Sequence, residues 1–329
     1  MIRLIAGRLA ALIGILLALT LVVFIIDTTV PTDPVAANLG AGASQTLIKA
    51  TRHALGYDQP VYVQYFRFLE RILHGDLGTS LRTHNAITAD LAQFAPATIE
   101  LSLVAAIWIF VLSLALGLWS ASGRRGAETI RVVMVSFASA PTFFLGIVFV
   151  LALYSWLGLL PASGRTTAGV ATGFVLISDF FTGKFGGYMD GLRHVLMPSL
   201  VIALGPSVAI GRVLRGALLD AMRQDHVRTA RSKGISEWAV LLRHALRNAL
   251  TPVLSMAGLQ LGLVLTGVIV VETVFAWPGL GLYTSAALVN SDFPAVIGVT
   301  LVLGAIYVII NAAVDVLQVV ADPRLKQAR

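Results

Sequence analysis

Six stretches of this chain carry no charged residue and approach or exceed the length of a bilayer crossing: 9–26, 101–123, 132–164, 195–211, 248–271 and 293–314. A helix needs roughly 17 to 25 apolar residues to cross the hydrocarbon core. In lipid, only helices and closed barrels satisfy every backbone polar group internally. The pattern therefore predicts an all-α polytopic membrane protein with six transmembrane helices. Charged residues make up only 12% of the 329, about half of what a soluble domain carries.

The charges that remain set the topology. Arg3 and Arg8 precede the first run, Arg124, Arg125 and Arg131 follow the second, and Arg324, Lys326 and Arg329 close the chain. With the eight basic residues around the fourth gap, one side of the membrane holds sixteen of the 24 lysines and arginines. The positive-inside rule places both termini and that gap in the cytoplasm. The same distribution accounts for the net charge of +7 without nucleic acid, because the basic residues fall between apolar runs. Val35, Ala36 and Ala37 resemble a signal-cleavage site, but the first apolar run exceeds the roughly 7 to 15 residues of a signal core, so it reads as a retained helix.

These runs divide the chain into a first helix (1–27), an external loop region with an amphipathic helix (28–96), and a transmembrane domain (97–329) that contains a cytoplasmic loop (212–250). The third run leaves room for a short external piece after about Leu157, and Pro141 is a kink site. The fourth holds Pro198 and Pro206, which predicts an irregular helix packed inside the bundle. In the external loop Tyr62, Tyr65, Phe66, Leu69 and Ile72 recur at helical spacing, either as an interfacial anchor or as a binding face.

The cytoplasmic loop is the most polar stretch. Arg212, Arg215, Arg223, Arg228, Arg231, Lys233, Arg243 and Arg247 stand against Asp220, Asp225 and Glu237. Its pattern is helix, break, helix: Gly234 ends the first piece, Ser236 caps the second, and Glu237 favours the dipole in the first turn. Trp238, Leu241, Leu242, Ala245, Leu246, Ala249 and Leu250 form an apolar stripe on the second piece, with Arg243 and Arg247 off it. Ala230 and Gly234, four apart, share a face that lets another surface approach. The loop is either a helix resting on headgroups or a docking element.

Between the fifth and sixth runs, residues 272–281 read Glu-Thr-Val-Phe-Ala-Trp-Pro-Gly-Leu-Gly. This is either a re-entrant loop lining a cavity or an interfacial turn with Trp277 in the aromatic belt. Glu100, Glu272 and Asp315 lie near run ends, where solvation or a structural hydrogen bond accounts for them.

Several chemistries are excluded or unsupported. There is no cysteine, hence no disulfide or thiolate site. No phosphate-binding G-x-x-x-x-G-K-[ST] loop is present, and the six histidines never reach metal-ligand spacing. Gly205-Pro206-Ser207 faintly matches an intramembrane serine nucleophile, but no histidine lies in another span to serve as its base.

Arg228-Thr229-Ala230, Gly234 and Pro252 together resemble the cytoplasmic signature of the permease subunits of ABC importers, and most closely their peptide, oligopeptide and nickel branch. Gly56-Tyr57-Asp58-Gln59-Pro60 with Tyr62-Val63-Gln64-Tyr65, Gly75-Asp76-Leu77-Gly78 with Ser80, the 272–281 stretch and Asp322-Pro323-Arg324 resemble the same branch in the expected order. The usual leading Glu of the signature is Arg228 here, so no role of that carboxylate carries over.

The resemblance implies a type I importer fold in a bacterial inner membrane, and a permease that carries di- or oligopeptides or, alternatively, nickel or another small solute. It implies a second homologous permease, two cytoplasmic ATPases that bind ATP and magnesium, and an external substrate-binding protein. No cofactor is then expected in this chain. It assigns ATPase coupling to Asp225, Arg228, Thr229, Ala230, Arg231, Lys233 and Gly234, and leaves Glu272, Trp277, Pro278, Gly279 and Gly281 as candidates for an external gate. A stand-alone secondary transporter or channel is the reading from a different class.

Overall fold

The computed structural model describes residues 2–29, 44–55, 58–123, 126–167 and 173–321. The cleavage-like Val35 to Ala37, the Gly56-Tyr57 pair, Arg124, Arg125 and the Asp322-Pro323-Arg324 terminus lie outside them, as do the side chains of Arg3, Arg8 and Asp315. Each expected apolar run falls largely on a helix or a broken helix pair, the third running past its helical part into the irregular 157–164. In chain order the helices are α1 (Ile2–Thr29), α2 (Gln45–Leu55), α3 (Val61–Leu73), α4 (Ile87–Ala121), α5 (Ala127–Ala138), α6 (Thr142–Phe149), α7 (Val175–Phe181) and α8 (Phe185–Met222). They continue with α9 (Asp225–Ser232), α10 (Glu237–Val240), α11 (Leu246–Val274), α12 (Leu280–Val289) and α13 (Phe293–Ala321). Among the described residues no named strand occurs, only an isolated bridge between Thr79 and Ala86.

Three helices are long and apolar enough to cross a membrane, and two bent pairs raise that to as many as five. The helix of the first run, at Ala10–Ile26, is a shorter apolar helix. Pro141 does more than kink the third run. It opens α6 in an extended conformation (φ −57°, ψ 140°), and α5 meets the α6 segment at 108°. A seven-residue π-helical stretch, Val150–Trp156, then carries α6 to the expected end near Leu157.

The fourth run departs from expectation. Instead of an irregular helix, α8 runs unbroken for 38 residues through both Pro198 and Pro206. It is the most buried of the three long spans, and dense packing on all sides tolerates the hydrogen bonds its prolines remove. Beside Pro206, the fully buried Ser207 donates its hydroxyl to the Ala203 carbonyl at 2.6 Å, a role internal to the helix.

The chain forms two compact units, 1–95 with 283–308, and 96–282 with 309–329. In the first, Val23, Phe24, Phe68 and Leu301 form a small core joined by Leu19, Tyr65 and Ile72. Here the external helix α3 differs from its sequence reading. Phe68, outside the expected stripe, is buried, whereas Tyr62 and Phe66 are exposed. Tyr65 meets Thr20 at 3.0 Å and the Phe24 ring at 5.3 Å, so α3 packs on α1 through Tyr65, Phe68 and Ile72. A buried polar cluster completes this unit. Ser80 donates to Asp292 (2.5 Å), while Tyr283 (2.9 Å), Thr83 (2.5 Å) and Asn85 (3.0 Å) donate to Asp90.

In the second unit the core lies among α4, α8 and α11, with Leu101, Ala105, Met197, Val201, Val268 and Trp277 at its centre. Two glycines let α4 and α8 interlock reciprocally. A Cβ on Gly117 would stand 2.5 Å from Leu214, and one on Gly211 would stand 2.9 Å from Leu116. Gly117→Leu is therefore expected to overpack this contact and destabilise the protein by about 1–3 kcal/mol. Gly216, with nothing within 4 Å of an added Cβ, should accept Leu without loss. The thermal unfolding midpoints of the two detergent-solubilised variants check this difference.

Candidate functional site: the cytoplasmic hairpin and the Glu272 loop

The hairpin α9–α10 is built by its caps. Gly234 adopts φ +74°, a conformation glycine reaches without steric cost. Its N–H donates to the Arg231 carbonyl (2.9 Å), and the next N–H, of Ile235, donates to the Ala230 carbonyl (3.4 Å). This pair of bonds is a Schellman turn. Ser236 then caps α10 by accepting the Ala239 N–H at 3.4 Å. The helix, break and cap expected from the sequence are all present.

The faces of the hairpin are distributed differently from the sequence reading. Ala230 is only 5% exposed, packed with Val227 and Val240 and against Met222 and Ile235. It is covered by its own chain and is not available for close approach by another surface. Gly234 has nothing within 4 Å of an added Cβ, so backbone conformation rather than contact requires glycine there. What α9 presents outward is polar: Asp225, Arg228, Thr229, Arg231 and Lys233 are exposed. Arg231 grips Glu237 with two bonds, Nε to Oε1 at 2.7 Å and Nη2 to Oε2 at 2.9 Å. That hydrogen bond holds the Glu237 carboxyl below its usual pKa. In water such a pair adds little stability, but its fork geometry fixes the angle between the two short helices.

The apolar stripe beyond the break is split. A π-helical stretch, Leu241–Ala245, follows α10 directly, and its wider turn shifts the face that follows. Leu241, Ala245 and Ala249 are buried against Leu118, Leu214, Leu218 and Ala221. Trp238, Leu242 and Leu250, expected on the same stripe, are exposed.

The second group of candidate residues forms a buried knot. Glu272 is 0% exposed. It accepts the Thr98 hydroxyl at 2.6 Å on one oxygen, and the amides of Gly281 (2.6 Å) and Leu282 (3.2 Å) on the other. Thr98 in turn accepts the Leu280 N–H at 2.7 Å. Trp277 is 1% exposed and donates its indole N–H to the Ala97 carbonyl at 3.0 Å. It is thus no aromatic-belt residue. An added Cβ on Gly279 would collide with the Glu272 carboxylate, and one on Gly281 would stand 2.5 Å from the Ile269 backbone. These glycines exist to let the loop close over the acid. Pro278 is half-buried between them.

Sequence reasoning missed the partners. Thr98 lies 174 residues from Glu272 and carries no local signal. Arg165, which no pattern in the sequence singles out, is 3% exposed and pairs with the buried Glu100 at 2.5 Å. It also donates to the Gly173 carbonyl at 2.7 Å and lies 5.9 Å from the Trp277 ring centroid. The available signal was Glu100 itself, since an acid at the edge of an apolar run demands a counter-charge or donors. Glu100 and Glu272 are thus both held by structural hydrogen bonds. Among the described residues no cluster of three or more histidines, aspartates or glutamates is placed to hold a metal ion.

Replacing Glu272 by Ala leaves two buried amides and a hydroxyl without their acceptor, a loss on the order of 3 kcal/mol or more. Glu272→Gln keeps one carbonyl acceptor and should lose less. The order of thermal midpoints, wild type above Gln above Ala, is the expected result. An Ala variant as stable as wild type would contradict the knot.

The binding-protein-dependent transport system inner membrane component family matches residues 113–327, and the N-terminal membrane-component family of the same systems matches residues 1–102. The probable D,D-dipeptide transport system permease protein DdpB of Escherichia coli K12 is 35% identical, covering 95% of this chain and 94% of its own length. The di/tripeptide transport system permease protein DppB of Pseudomonas aeruginosa UCBPP-PA14 is 36% identical over the whole of both chains. Among solved structures, an inward-facing conformation of the MetNI methionine ABC transporter superposes with a TM-score of 0.53 at 16% identity, covering 69% of this chain and 93% of that one. At that identity the likeness is one of fold. The chain belongs to the binding-protein-dependent transport system inner membrane component family.

Proposed function

We propose that this ABC importer permease forms half of a translocation pathway for di- or oligopeptides and takes its mechanical input through α9. The cargo reading is supported by the dipeptide and di/tripeptide permeases among its relatives. It works with a second homologous permease, two cytoplasmic ATPases and an external substrate-binding protein, as an inner-membrane protein with six spans and both termini in the cytoplasm. ATP hydrolysis belongs to the partner subunits. The first helix ends near residue 27, the external region runs to 96, and the remainder is the permease domain with its coupling loop at 212–250.

The observation that carries this reading is the state of α9: a short helix closed at its end by the Gly234 turn, clamped to α10 through Arg231 and Glu237, and basic on its exposed side. Such an element is rigid without a partner and offers Arg228 and Lys233 to acidic groups on one. Movement of α9 reaches the core through Val227 and Ala230 on Val240. From there one uninterrupted helical path leads through Leu241–Ala245 into α11 and on to Glu272. ATP-driven closure of the ATPases would rock this rod and its counterpart between inward and outward openings. In that cycle Glu272, Trp277, Pro278, Gly279 and Gly281 hold the outer end of the rod as part of the external gate.

Reversing the two exposed charges, Arg228→Glu with Lys233→Glu, should cut ATPase co-purification and peptide uptake by about tenfold or more while membrane levels stay normal. Neither side chain has a buried role in the hairpin, so the double variant should fold. Unchanged uptake and ATPase retention would contradict coupling through α9.

A further inference from the structure

The helical hairpin formed by α7 and the start of α8 carries aromatic side chains that the described residues leave exposed. Phe181 is 80% exposed and Phe185 69%, with Phe180 and Met189 also exposed. The hairpin is itself well made. Gly191 admits Leu176, and a Cβ on Gly187 would meet Asp179. The Phe180 ring packs 5.5 Å from Tyr188 and 5.4 Å from Phe181, and Gly183 turns the chain at φ +72°. These pairings run antiparallel, so Phe180 and Phe181 stand level with the first turn of α8.

Height excludes lipid as the cover. The exposed Arg193 and Arg212 bracket the span of α8. They are 19 residues apart, about 29 Å at 1.5 Å per residue, which matches the roughly 30 Å hydrocarbon core. Phe185 lies eight residues beyond Arg193, about 12 Å further out along the helix, and about 9 Å if the helix tilts by 40°. The headgroup layer of one leaflet adds only about 5–8 Å. The aromatic tip therefore stands in water, where exposed rings of this size mark a protein contact.

Charge narrows the partner. The exposed charge at this tip, Lys184, is basic. The neighbouring Asp190 is engaged by Thr167 at 2.8 and 3.1 Å and by His194, and Asp179 is turned against Gly187. The surface is thus an apolar centre beside one positive charge, Lys184, which complements an apolar patch that carries a carboxylate.

We propose that Phe180, Phe181 and Phe185, with Lys184, form a docking surface for the external binding protein on which this family depends, and that the partner's face there is apolar and carries a carboxylate. The proposal rests on the permease reading above and extends it to a named external surface.

The test uses the whole importer, with its second permease and ATPases in nanodiscs, and its purified binding protein as the probe. Phe181→Asp with Phe185→Asp should weaken docking by about tenfold or more, while size-exclusion chromatography shows the complex still assembled. Lys184→Glu, which disturbs no packing, should weaken docking too and make it less sensitive to salt. Unchanged docking in an assembled complex overturns this surface. Loss of the second permease from the double variant, with Lys184→Glu docking normally, overturns it in favour of a permease–permease contact. A wild-type chain that retains no ATPase would sink the permease reading itself, and this surface with it.

Discussion

A carboxylate enclosed by protein at the end of a membrane helix is stable only if donors meet it on every side, and Glu272 imposes that demand on everything near it. Gly281 and Leu282 turn their amides toward it, Thr98 supplies a hydroxyl, and Gly279 and Gly281 have no side chain because any would displace the acid or the Ile269 backbone. Trp277 is drawn into the interior with its indole on Ala97. One buried charge thereby fixes the end of α11, the loop after it and the first residues of α12 to the second unit's core. The Glu100–Arg165 pair, also buried, holds the segment after the π-helical stretch in the same unit.

The opposite end of the same helical path obeys the reverse rule. It meets water, so its polar groups need no burial, and its shape comes from backbone geometry: a left-handed glycine, a serine cap and an exposed arginine fork. The path thus has a tightly held end at Glu272 and an exposed, polar end at α9.

How much of this was legible in the sequence follows from what each signal reports. Charge spacing put helix in each apolar run, of which three to five are long enough to cross a membrane, because desolvating a charge costs more than any packing detail can recover. Gly234 and Ser236 were readable because caps are local chemistry. Burial was less readable. Periodicity marks an apolar face without saying what covers it, and in a membrane permease lipid, the chain itself and partner subunits all can. Phe66 and Phe68 are chemically equivalent, yet only Phe68 meets Phe24. In the stretch after Gly234 only part of the apolar stripe finds cover: Leu241, Ala245 and Ala249 are buried, while Trp238, Leu242 and Leu250 are exposed. Pro198 and Pro206 misled in the other direction, since α8, the most buried long span, stays helical through positions that would break an exposed helix. Thr98 and Arg165 became visible only once the chain had brought distant segments together.

The central claim is that the basic hairpin faces the cytoplasm and is gripped there by an ATPase. Because the chain contains no cysteine, a single Lys233→Cys variant gives a unique thiol at the exposed tip of α9. Labelling it with a membrane-impermeant maleimide tests both parts of the claim at once. The account predicts labelling in inverted vesicles but not in intact spheroplasts, and protection in the inverted vesicles when the ATPase subunits are bound. Labelling from the outside, or equal labelling with and without the ATPases, would contradict it.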